Sequence, residues 1–191
     1  NLGLVIGAGG GSLTLTDAAG NSATQSGFGV TVDNTGLSGS DVQASNGGSV
    51  AGRADAGDKI VFTFNGAPEP NSILSGWTGA AANVVVRLNN ATNDTVTVFN
   101  GANSTQLPLG TINLGRSDYT TANLTFGATG TPSSMVLSGS AVTITLGTQS
   151  AAATTAAATG TMTWTPSSSA TDPAARAAHL QDFEVRDWVD D

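Results

Sequence analysis

The sequence predicts an all-β protein, a Greek-key sandwich of two antiparallel sheets. Three observations lead there. Short runs alternate apolar and polar residues with a period of two, helical periodicity is nearly absent, and each run is bounded by Gly, Asn, Asp or Pro. About seven such runs follow residue 41 at sandwich-like spacing, which favours two packed sheets over a parallel sheet with crossover helices.

Element by element, Leu2–Ile6 is a short apolar strand followed by a Gly-rich run over 7–11, and Ser12–Thr16 (SLTLT) alternates cleanly. Asp17–Asn21 (DAAGN) reads as a turn. Phe28, Val30 and Val32 fall on one face of the next strand, which Asp33–Gly36 (DNTG) ends; Val42 opens a new unit. Further strands are expected at Lys59–Phe64, Asn83–Leu88, Asp94–Phe99, Leu109–Leu114, Ala122–Phe126, Ala141–Leu146 and Thr161–Thr165. The low-complexity stretch Ser150–Thr159 reads as a loop or edge strand. Asp172 is placed to cap a short helix with Pro173 at its first position.

Composition narrows the function. Charged residues make up 10% of the 191 residues, against about 25% in an average domain, and Gly, Thr, Ser, Ala and Asn fill the gap. With a mean hydropathy of +0.04 the chain does not have the low hydrophobicity of a disordered protein. Six basic residues stand singly against a net charge of −8, so no phosphate-binding patch forms and neither nucleic acid nor an anionic membrane is an expected partner. No apolar run reaches the ~20 residues that span a bilayer, so membrane insertion is not expected. The absence of Cys removes disulfides, thiolate metal sites and thiol catalysis. One Lys and one His would be unusual in a cytosolic enzyme, and the chain reads as a mature, secreted one.

Leu13–Ala23 (LTLTDAAGNSA) is echoed by Met162–Ala178 (MTWTPSSSATDPAARAA), each a strand followed by a T-D-x-A turn or its near equivalent. The sequence DAAGNSATQSGFGVTVDNTG resembles the closing and linking stretch of the bacterial immunoglobulin-like repeats found in long secreted and cell-wall-associated proteins, especially of actinobacteria. AGRADAGDKIVFTFN resembles their opening "G-D-x-I-x-F-x-F" strand, and SILSGWTG, LGTINLG, AVTITLG and TMTWTPS resemble other strands, covering most of residues 13–175. Two features depart from the pattern: the second closing turn reads DPAARAA, and LQDFEVRDWVDD has no counterpart. The resemblance implies an immunoglobulin-like sandwich over 37–175, preceded by the closing strands of another unit over 1–36 and followed by an extension over 176–191. It implies a spacer, stalk or adhesive role and no chemistry.

Residues 1–36 then look like sheet material without its other half. Two or three isolated strands are marginal in water, so they must pair in cis with the sandwich or in trans with another copy. Leu2, Leu4, Val5 and Ile6 form the candidate donor strand, because an apolar strand adds to an exposed edge through main-chain hydrogen bonds. Head-to-tail repetition of that contact builds a filament. Expected partners are therefore other copies or neighbouring immunoglobulin-like units.

The candidate sites are few. His179 is the single histidine, lies in the tail, and has no G-x-S-x-G turn to serve, so no enzyme is expected. Asp17, Asp33 and Asp58 cluster near the linker and the opening strand and could supply oxygens to calcium at a junction. Turn carboxylates serve equally well to bind nearby backbone N–H groups. Trp77, in the Gly-flanked SGWTG run, is the candidate platform for cell-surface glycans, whereas Trp164 alternates as a core residue. Lys59 is either a solvated strand end or the lysine of an isopeptide bond.

Overall fold

A computed structural model describes residues 2–7, 10–16, 18–28, 36–173 and 183–186. The chain divides into two compact units, Asn1–Thr35 and Gly36–Asp191.

The first unit holds β1 (Leu2–Gly7), β2 (Gly10–Thr16) and β3 (Ser22–Phe28), which form an antiparallel meander in the order β1-β2-β3. In the register of the two strands Leu2 is opposite Leu15 and Leu4 opposite Leu13. Gly20, at a φ of +89°, takes the left-handed position in the turn after β2, where a side chain would be strained. The Thr16 and Ser22 hydroxyls join the two strands at 2.8 Å. The third strand thus starts earlier than expected, and Val30 and Val32 lie outside the described residues.

The second unit comprises β4 (Gly39–Ser45), β5 (Lys59–Phe64), α1 (Pro70–Ile73), β6 (Ala82–Asn89), β7 (Thr95–Asn100), β8 (Gln106–Asn113), β9 (Leu124–Phe126), β10 (Ser133–Ser138), β11 (Ala141–Thr145), β12 (Thr161–Thr165) and β13 (Phe183–Arg186). Hydrogen bonding follows one path, β13-β12-β8-β7-β6-β10-β11-β5-β4, with β9 attached to β6, and every pairing is antiparallel. β4 lies beside β12 and β13 without pairing to them, so the sheet nearly closes into a barrel. The chain is therefore all-β and antiparallel, as expected, but its strands follow one path in place of two separate sheets. The physical reason lies in β6: Ala82–Val84 pair with β10 while Val86–Leu88 pair with β9, so β6 joins what would be the two halves of a sandwich.

Alternation builds the core. In β5, Ile60, Phe62 and Phe64 face inward, as do Val96 and Val98 in β7 and Val142 and Ile144 in β11. Trp164 of β12 is fully buried and meets Phe62 and Phe64 edge-on, with ring centroids 5.2 and 5.1 Å away. Its indole N–H donates to the Leu109 carbonyl at 2.6 Å, which removes the cost of burying that donor. Gly110, at a φ of +85°, allows β8 to approach β12: an added Cβ would sit 2.0 Å from the Thr165 carbonyl oxygen. Of the expected tail helix, residues 174–182 lie outside the described residues.

Candidate functional site

The charged groups buried among the described residues of the barrel are carboxylates, each set just before or within a loop. Asp58, fully buried ahead of β5, accepts from the Gly47 and Gly48 amides through Oδ1 at 3.0 and 2.9 Å, and from the Asp55 amide through Oδ2 at 2.9 Å. Burial pushes its carboxyl above the ordinary value; the three amides oppose that shift, and the Asp55 charge adds to it. Asp55, 3% exposed, accepts from the Ser49 amide and hydroxyl at 3.2 and 3.0 Å through Oδ2, with the Arg53 guanidinium 3.5 Å away. Gly48 is what lets the two carboxylates come together, since a Cβ there would lie 1.5 Å from Asp55 Oδ1 and 3.0 Å from Asp58 Oδ1.

Asp94 repeats the device ahead of β7. It is fully buried, and it accepts from the Ala91 amide at 3.2 Å and from the Tyr119 and Thr120 amides at 2.9 and 3.1 Å. Each of these aspartates thus holds a loop against the barrel, the backbone-binding role that turn carboxylates commonly serve. The sequence sets Asp58 among the turn carboxylates but reads Asp94 as the first residue of a strand; the signal for its loop is the polar run Asn90-Ala91-Thr92-Asn93 directly ahead of it.

A second polar cluster is open to solvent. Arg116 donates from Nε to Asp118 Oδ1 at 2.8 Å and from its terminal nitrogen to Oδ2 at 2.6 Å, while the Ala157 amide reaches Oδ2 at 3.1 Å. The fork of hydrogen bonds from Arg116 lowers the Asp118 carboxyl to about 2. These two residues, with Asn93, Gly115 and Ser117, line a shallow concavity of about 390 Å³.

The expected site residues are not brought together. Asp17 and Asp33 lie outside the described residues, and the oxygens of Asp58 already face backbone amides. Among the described residues no group of three His, Cys, Asp or Glu side chains has metal-binding geometry. Trp77 corrects the expectation of an open sugar platform: it is 7% exposed, packs into the core, and donates its indole N–H to the Ala80 carbonyl, so its ring faces are covered. Lys59 is exposed at the first position of β5, as a solvated strand end is. Leu2, Leu4, Val5 and Ile6 all fall in β1, and His179 lies outside the described residues. No family model, curated protein or solved structure matches the chain.

Proposed function

We propose that this chain is a non-catalytic structural module of an extracellular surface, an immunoglobulin-like unit that serves as stalk or adhesin or that builds a pilus-like filament by β-strand donation. In this reading the barrel is a variant of the immunoglobulin-like sandwich, with β4-β5-β11-β10 corresponding to one sheet and β6-β7-β8-β12 to the other. The observation that carries it is the separate three-stranded sheet ahead of the barrel, whose outer strands β1 and β3 each have one hydrogen-bonded neighbour in that sheet. A sheet that small gains from edge pairing. Because β1 is already joined to β2, donation would use its second edge and carry the hairpin with it, with Leu2, Leu4, Val5 and Ile6 in the added strand.

Negative-stain imaging and light scattering of the full chain and of a variant lacking residues 1–8 test the assembly. Filaments or concentration-dependent oligomers that vanish on deletion support strand donation. A full chain that stays monomeric at every concentration refutes donation and leaves the stalk or adhesin role.

The alternative is a ligand-binding module for cell-surface glycans. With Trp77 buried, its support moves to the polar concavity at Arg116 and Asp118, where a paired cation and carboxylate suit sugar hydroxyls. A glycan array comparing the chain with Asp118→Asn tests it; a shared blank array refutes it. Calcium remains part of the proposal only through Asp17 and Asp33, and titration of the full chain with calcium, read by its melting temperature, decides that point.

A further inference from the structure

Closing a sheet removes the edges at which a strand could add. Every strand on the barrel path from β12 round to β5 has a hydrogen-bonded neighbour on each side. β9 is covered on its far side by the chain at 148–150: the Gly127 amide donates to the Thr148 carbonyl at 2.8 Å, the Ser150 amide donates to the Thr125 carbonyl at 2.8 Å, and Phe126 bridges to Gln149. Among the described residues of the barrel, the edges that remain are β4 and β13. These two lie next to each other with no ladder between them.

β13 therefore occupies a slot. One wall is β12, to which it is joined by four register pairs, Thr161 with Arg186, Met162 with Val185, Thr163 with Glu184 and Trp164 with Phe183. The other wall is β4, whose Gly39 packs so closely on Trp164 and Pro166 that an added Cβ would lie 2.8 and 2.6 Å from them. The residues of β12 opposite Phe183 and Val185 are Trp164 and Met162, both buried in the core. An empty slot would leave the edge of β12 unpaired beside the buried Met162 and Trp164, so the slot favours an occupant.

We propose that this slot is a strand-acceptor site whose occupant in an assembly is the Phe183–Arg186 strand of a second copy of the chain. The same segment in trans makes the same four register pairs, so the enthalpy of the seat is unchanged and protein concentration decides between the two arrangements. Exchange of an identical element is a low-cost route to association for this reason. The contact involves the other end of the chain from β1 and does not depend on β1 donation.

The test uses the absence of cysteine in the full chain. Opposed antiparallel partners lie about 4.5–5.5 Å apart at Cα, within the roughly 4.4–6.8 Å that a disulfide spans. Thr163→Cys with Glu184→Cys in one chain should oxidise within the monomer at low concentration. Thr163→Cys in one copy and Glu184→Cys in a second copy carrying a mass tag, refolded together and oxidised, should give a heterodimer on a non-reducing gel. Its yield should rise with protein concentration and survive deletion of residues 1–8. A double variant that cross-links internally beside a mixture that gives no heterodimer overturns the exchange. A double variant that fails to cross-link overturns the seat itself.

Discussion

Replacing Asp58 by Ala removes the acceptor of three amides at once. The Asp55 amide is buried, and leaving such a donor unpaired costs about 1–3 kcal/mol; the Gly47 and Gly48 amides are nearer the surface, and water replaces part of their bonds at a loss of about 0.5–1 kcal/mol each. Relief from burying a carboxylate gives back part of this sum, so a net loss of about 3 kcal/mol is expected. For a chain of this size that corresponds to a melting point roughly 6–12 °C lower. Asp58→Asn keeps an acceptor for Gly47 and Gly48 but turns an amide donor toward the Asp55 N–H, so it should cost about half as much. Urea titration followed by tryptophan emission measures both, with an unchanged m-value as the sign that only stability has moved. An Ala variant within about 0.5 kcal/mol of the parent, or an Asn variant less stable than the Ala one, would refute the role assigned to the carboxylate.

Three further outcomes concern pH and backbone fit. The folded-state value of Asp118 lies below its ordinary 3.8, at about 2, so its contribution is present above 3.8 and is lost as pH falls toward 2. Asp118→Asn should flatten that acid limb in melts taken across the window. The folded-state value of Asp58 is raised, so its term favours the fold at low pH and is lost as pH rises from 3.8 through the folded value. The stability gap between parent and Asp58→Asn should accordingly narrow as pH rises from 3.8. Gly110→Ala combines a φ of +85° with a Cβ 2.0 Å from a backbone oxygen of β12, and should destabilise by more than the ~1 kcal/mol that a left-handed alanine alone costs, read in the same urea assay.

Where alternation is uninterrupted, the sequence is nearly transparent: Lys59–Phe64 and Thr161–Thr165 are strands at the expected bounds. β10 escaped because one of its two inward positions is a serine, which leaves Met135 as its one buried apolar side chain. Ser133 is fully buried only because its hydroxyl donates to the Phe126 carbonyl at 3.0 Å and accepts from the Gly147 amide at 2.9 Å, partners from two other segments that no local pattern announces. Missing β10 hides its bridge to β6, and with it the single sheet path. Trp77 misled for a related reason, since flanking glycines suggested an open turn while its N–H finds a carbonyl three residues on and its ring is free to enter the core. The one-turn helix α1 did carry local signals, with Glu69 as its cap and Pro70 at its first position. Asp58 was legible as a turn residue and Asp94 was not, and which amides each holds depends on loops meeting in space.

The scarcity of charge and the near-closure of the barrel are connected. Outward positions on neighbouring strands pair Thr97 with Thr111, Thr95 with Asn113 and Thr163 with Asn113, so β-branched and short polar side chains supply strand preference across the surface where many proteins use Lys and Glu. A sheet built this way has little charge with which to repel a neighbouring edge, and edge lysines, a common safeguard, are impossible in numbers with a single Lys in the chain. In the described part of the barrel the remaining safeguard is geometric: each strand from β12 round to β5 is paired on both sides, and the open edges of β4 and β13 are confined to one seam. On β4 that seam carries Asp41 and a register shift between Gly39 and Asp41, two devices that discourage casual pairing. With the other described barrel edges paired, strand addition to the barrel would have to occur at that seam, so substitutions in β13 should alter any such association more than substitutions on the threonine-rich walls.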